Sequence, residues 1–196
     1  MRKAAIAVLS LIVLSACGTA HARRYFQIRS VAPEEPALPM IERRLAVEPA
    51  AADPLYDDIR IVYRVTPFEV KYYPYEFWAE KPGQMVTDAV VEFLGRKKAF
   101  AAVARGPVRE GADIVLRPRL LVLEEIDNPA AWQARLAMEL EFADAGTGRP
   151  LLAWSFDRKA PMASKQIGLF PAACSRILEE ELVKAVAELA RVLGLK

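Results

Sequence analysis

The sequence predicts an α+β fold: a mainly antiparallel sheet with two helices packed on one face, preceded by an N-terminal signal segment. A long two-residue alternation, two apolar stripes at helical spacing, and a short apolar run behind two basic residues carry that expectation. Across residues 131–143, Trp132, Ala134, Leu136, Met138, Leu140 and Phe142 alternate with Gln133, Arg135, Ala137, Glu139 and Glu141. One face is therefore apolar and the other largely polar, as in a half-buried antiparallel strand. Residues 144–150 are rich in turn formers, and Leu152, Trp154 and Phe156 then resume the same period, so the two segments read as a hairpin. Residues 114–126 form a strand before it, in which Pro118 cannot donate to a ladder and implies a bulge or an edge. Ile59, Ile61, Tyr63 and Val65 mark another strand, residues 68–72 a further one, and residues 41–47 a short one within a Pro- and Ala-rich stretch.

The helices follow from the 3.6-residue period. Residues 84–97 place Val86, Val90, Phe93 and Leu94 on one stripe, with Pro82-Gly83 marking the start. Residues 171–193 align Leu178, Leu182, Val186, Leu189 and Leu193, opposite Glu179, Glu180, Lys184, Glu188 and Arg191. That pattern is a surface helix lying on a sheet.

Arg2 and Lys3, the apolar residues 4–14, and Leu14-Ser15-Ala16-Cys17 have the layout of a cleaved export signal. The run is too short to span a bilayer. The last four residues resemble a bacterial lipobox. This implies that residues 1–16 are removed and that Cys17 becomes the first mature residue, carrying a diacylglyceryl thioether and an amide-linked acyl chain such as palmitate. The alternative is an ordinary secretory signal in which the cysteine is incidental. Gly18 follows, where an aspartate would resemble an inner-membrane retention signal, so the expected location is the outer membrane, facing the periplasm, rather than the inner membrane. Residues 17–24 form the lipidated cysteine and its tether, about 27 Å at full extension to Tyr25, and residues 25–196 form a single domain.

Removing Arg2 and Lys3 from 27 basic residues leaves 25 against 25 acidic ones. A near-neutral domain lacks the electrostatic footprint of nucleic-acid binding. The one histidine, His21, falls in the tether, so the fold has no imidazole to offer as base or metal ligand. The sequence has no phosphate-cradling glycine loop, paired-cysteine metal spacing or nucleophile elbow. Neighbours such as Glu124 and Glu125 point to opposite faces of a strand. No catalytic residue, metal site or cofactor beyond the lipid on Cys17 is expected, and the protein is not expected to be an enzyme. Cys174, left without an intramolecular partner once Cys17 is acylated, is either buried or open to an intermolecular bond.

Seven of the chain's 17 aromatic residues lie within residues 63–78. A run such as Tyr72-Tyr73-Pro74-Tyr75, followed by Phe77-Trp78, cannot hide every ring on one sheet face. Tyr72, Tyr73, Tyr75, Phe77 and Trp78 are therefore candidates for a partner-binding surface, with a second small core as the competing reading.

Arg24-Tyr25-Phe26-Gln27-Ile28 soon after Cys17 resembles the Arg-Tyr-Tyr-x-Leu opening of the ABC-type transport auxiliary lipoproteins. Residues 61–65 (Ile-Val-Tyr-Arg-Val), Tyr72-Tyr73 with residues 77–82, and residues 112–116 extend the likeness over nearly the whole mature chain. Phe26 and Ile28 depart from the commoner Tyr and Leu but stay apolar. The resemblance implies an accessory role beside an ABC permease complex and a mammalian-cell-entry domain protein that move lipid between two membranes. A homo-oligomer is left open. The alternative is a lipid-anchored scaffold serving lipopolysaccharide export or envelope maintenance.

Overall fold

A computed structural model describes residues 21–30, 38–106, 111–128 and 131–195. Cys17 and the signal segment lie outside them. The chain runs β1 (Arg24–Phe26), β2 (Ile41–Val47), β3 (Ala51–Ala52), a 3₁₀ turn (Pro54–Tyr56), β4 (Arg60–Thr66) and β5 (Glu69–Trp78). It continues through α1 (Pro82–Arg96), β6 (Phe100–Arg105), β7 (Ile114–Asn128), β8 (Ala131–Asp144), β9 (Pro150–Pro161) and α2 (Leu169–Val192). The α+β class and both expected helices are observed. Three short strands, β1, β3 and β6, were not legible, because segments of two to six residues carry too little period.

The sheet is mixed rather than purely antiparallel, and its two longest ladders are antiparallel as expected. Among the described residues, β7–β8, β8–β9 and β4–β5 are antiparallel, whereas β1–β5, β2–β6, β2–β7, β3–β7 and β4–β7 are parallel. The 15-residue β7 explains the mixture. Its one edge pairs with β8 along its whole length, while its other edge takes three strands in succession: β2 at Leu45↔Ile114, β3 at Ala51↔Arg119 and β4 at Val62↔Glu124. Side-chain alternation reports which face is buried and is silent on the direction of the neighbour.

Pro118 sits in this central strand without disrupting it. The carbonyls of Leu116 and Leu120 accept from Glu48 and Asp53 on the β2–β3 side, both at 2.9 Å. Pro118, midway between them, therefore turns its missing N–H to that side, where β2 has ended and β3 has not begun. The bulge in β7 lies just beyond, between Leu120 and Val122.

The core lies between the sheet and the helices. Leu120, Leu123, Leu136, Met138, Leu140 and Phe142 of β7 and β8 are at most 1 % exposed and meet Phe93 and Leu94 of α1 and Phe170, Leu178 and Leu182 of α2. Pro82 opens α1 at a position that needs no N–H donor. Its first turn presses on the β2–β3 connection, where a Cβ on Gly83 would stand 2.6 Å from the Ala50 carbonyl oxygen. The buried Thr87 hydroxyl accepts from the Ala50 N–H (2.8 Å) and donates to the Gly83 carbonyl (2.7 Å), tying helix to connection. Cys174 is wholly buried in α2 with a free thiol, as one of its two sequence readings held, and burial pushes that thiol up.

Candidate functional site

The aromatic run falls on β5, and the structure divides it. The register of β4 against β5 jumps between Arg60↔Phe77 and Val62↔Tyr72, so a bulge around Pro74 shifts the phase of the strand. Trp78 is 1 % exposed and packs on Phe170 of α2 at 5.5 Å between ring centroids. It belongs to the core and is not available to a partner, a correction to its place among the candidate surface residues. Tyr73 is half-buried; its ring meets Tyr63 and its hydroxyl donates to Glu125 Oε1 at 2.9 Å. Tyr72 is half-buried beneath the Arg60 guanidinium, 4.0 Å from the ring centroid. Tyr75, at 42 % exposed, and the half-buried Phe77 turn outward on the side away from the helices. Tyr25 of β1, 57 % exposed and opposite Phe77 in the register, joins them with ring centroids 5.8 Å apart. Sequence reasoning missed Tyr25 as a member because a three-residue strand has no readable period.

The segment assigned to the tether also takes part. His21 stacks on Tyr75 at 4.9 Å with planes 18° apart, and the Arg23 guanidinium lies over Phe77 at 5.6 Å. Arg24 enters β1 and donates to Glu76 at 2.7 Å. Contact with the sheet is therefore already made at His21, within the segment expected to be tether.

Glu124 and Glu125 point to opposite faces of β7, as the alternation requires. Glu125 faces the helices, is 2 % exposed, and borders a cavity of about 440 Å³ lined by Arg24, Tyr73, Glu76, Trp132 and Lys165. Burial raises its carboxyl above the usual glutamate range, and the Tyr73 hydrogen bond only partly offsets this. Lys165 lies over the Trp132 ring at 4.3 Å and reaches Asp127 at 3.2 Å.

Glu124, fully buried on the other face, has three partners. The Tyr56 hydroxyl donates to Oε2 (2.8 Å), Arg64 reaches both oxygens (2.8 Å each), and Arg135 donates to Oε1 (3.1 Å). Burial opposes its ionisation, but the donors outweigh it and hold the carboxyl below the usual range. Arg135 also grips Asp157 through two bonds of 2.9 and 2.7 Å. Cross-strand pairs extend this polar face: Arg117–Glu141 at 2.8 Å and Arg119–Glu139 at 3.3 Å flank an open groove of about 590 Å³ that also includes Pro49 and Trp154.

Among the described residues no cluster of three or more histidine, cysteine or carboxylate side chains could hold a metal ion. No helix among them is long and apolar enough to cross a membrane.

The family model for the ABC-type transport auxiliary lipoprotein component matches residues 26–187. The chain belongs to that family. Among solved structures, protein XCC0632 from Xanthomonas campestris superposes with a TM-score of 0.72 at 22 % identity, covering 88 % of this chain and 99 % of that one. An uncharacterized protein superposes with a TM-score of 0.64 at 15 % identity, again over 88 % and 99 % of the two chains. At these identities the likeness establishes the shared fold. No curated protein matches the chain significantly.

Proposed function

We propose that this auxiliary lipoprotein is a non-enzymatic docking subunit, held at the outer membrane by lipid on Cys17, of an ABC permease and mammalian-cell-entry protein system that moves lipid across the envelope. The family match over residues 26–187 carries the reading. The disposition of the adjacent carboxylates supports it: Glu124 is clamped by two arginines and Glu125 faces away from it, so the two do not work on one substrate. The lipobox-like residues 14–17 account for the anchor. Three acyl chains, at about 0.8 kcal/mol per buried CH₂, make such attachment stable where one chain alone would be marginal.

Crosslinking in intact cells, followed by identification of the captured proteins, tests this reading. Capture of a mammalian-cell-entry domain protein or the permease is the expected result. Recovery of lipopolysaccharide-export or peptidoglycan-associated proteins alone would favour the scaffold reading instead. In parallel, Cys17→Ala should abolish palmitate labelling and release the domain from the membrane fraction, and a variant that stays fully membrane-bound would remove the anchor from the proposal.

A further inference from the structure

We infer that the edge formed by Tyr25, Tyr75 and Phe77, together with His21 and Arg23, rests on the phosphate-bearing headgroups of the bilayer that holds the Cys17 lipid. The inference rests on the anchor reading above and adds to it an orientation of the domain and a second point of membrane contact.

The argument begins with chain length. His21 follows Cys17 by four residues, which span at most about 14 Å. His21 is itself seated on Tyr75, and Arg23, two residues on, is seated on Phe77. The chain leading to the anchor therefore emerges along this edge, and Tyr75 lies within a short reach of the acylated sulfur. A membrane half has an interfacial layer roughly 5 to 7 Å deep outside its hydrocarbon, so the tether leaves little room for another protein between this edge and the lipid.

The chemistry of the edge fits that position. Tyr25 and Phe77 face each other across β1 and β5, and Tyr75 lies two residues from Phe77 on the same side of its strand. The two tyrosines favour the headgroup level, where the ring is shielded and the hydroxyl stays wet, and Phe77 adds apolar surface between them. Arg23 contacts a ring and forms no ion pair among the described residues, so its guanidinium is available to lipid phosphate; Arg24 is engaged by Glu76. Basic residues close to an anionic lipid surface are attracted to it. The opposite side of β5 carries Trp78 toward the core and Glu76 toward the Glu125 cavity, which Arg24 of β1 also lines.

The test uses the lipidated full chain reconstituted into mixed phosphatidylethanolamine–phosphatidylglycerol vesicles with brominated acyl chains. Tyr75→Trp and Tyr25→Trp each add a reporter to a site already holding an exposed aromatic ring. Phe68→Trp, at the fully exposed β4–β5 turn on the far end of β5, is the control. The expected result is that the emission gained from Trp at 75 and 25 is largely lost on brominated lipid, while that from Trp at 68 is retained. Vesicle flotation separates the two levels of the argument. Protein that floats with both edge reporters unquenched leaves the anchor intact and overturns the edge contact. Protein that fails to float overturns both. Edge reporters that are shielded in detergent in proportion to protein concentration would assign the edge to a second copy of the chain and overturn its assignment to lipid.

Discussion

Glu124 and Glu125 are consecutive residues of one strand, yet they lie in two regions that accommodate a buried carboxylate in opposite ways. On the uncovered face, β7 and β8 carry opposite charges in direct cross-strand register, and Glu124 sits among them with Tyr56, Arg64 and Arg135. On the helix-covered face Glu125 accepts from the hydroxyl of Tyr73, while the cations that line its cavity, Arg24 and Lys165, are paired with Glu76 and Asp127. Burial acts on both. Only where cationic donors converge is the burial penalty on the ionised form outweighed, which is why the two carboxyls move in opposite directions from the usual value. A strand in a layered fold can thus present two unlike chemical environments one residue apart.

The largest expected effect belongs to the helix-covered face. Trp78→Ala removes a fully buried ring from contact with Phe170 and should cost about 3 to 5 kcal/mol, read as a large fall in Tm or in the denaturant midpoint. Retention of wild-type stability would return Trp78 to the surface set. Glu124→Gln comes next, because it leaves Arg64 and Arg135 without their shared counter-ion. The expected loss at neutral pH is about 3 kcal/mol, toward the low end for a buried pair because both arginines keep some contact with water. The folded-state carboxyl is depressed, so the wild type's advantage is present above the ordinary glutamate value of about 4.3 and disappears as the pH falls through the lower folded value.

Glu125→Gln should show the reverse pH dependence. A carboxyl raised in the folded state penalises folding at neutral pH, and that penalty fades as the pH falls toward the ordinary value. The wild type should therefore gain on Glu125→Gln as the pH falls from neutral toward the ordinary glutamate value, whereas it keeps its advantage over Glu124→Gln there and loses it only below that value. Parallel melting curves for the two variants, taken from neutral pH to below the ordinary glutamate value, would show whether the faces differ as described. The smallest effect is expected at Arg119→Ala. Its pair with Glu139 is solvent-exposed, and such pairs contribute about 0 to 1 kcal/mol. A loss as large as that of Glu124→Gln would mean that the polar face acts as one coupled network.

Particular residues mark how far the sequence was readable. The alternation from Trp132 to Phe142 and the leucine stripe of α2 correctly located the longest elements, whose faces repeat over many residues. The aromatic run on β5 was correctly read as too large for one buried face, but which rings turned outward was not legible. Trp78 was placed on the surface and is core; Tyr25 was passed over and is exposed. The bulge around Pro74 decides this, and a phase shift within a strand leaves no mark in a two-residue count. Likewise, Arg64 lies 60 residues from Glu124 and cannot be paired with it by spacing.

The sequence by itself determined the class of the fold, the approximate extent of β7, β8 and both helices though not of β5, which runs on past residue 72 to Trp78, and the family to which the chain belongs. These are properties of a segment's own period and composition, or of motifs within short windows. The tertiary structure alone decided that β2, β3 and β4 meet β7 in parallel, that Glu124 gathers two arginines while Glu125 gathers one tyrosine, and that His21 comes to rest on Tyr75. Each depends on which distant segment lies alongside and in what register. Those choices are made by packing the whole sheet against both helices at once, and no local window contains them.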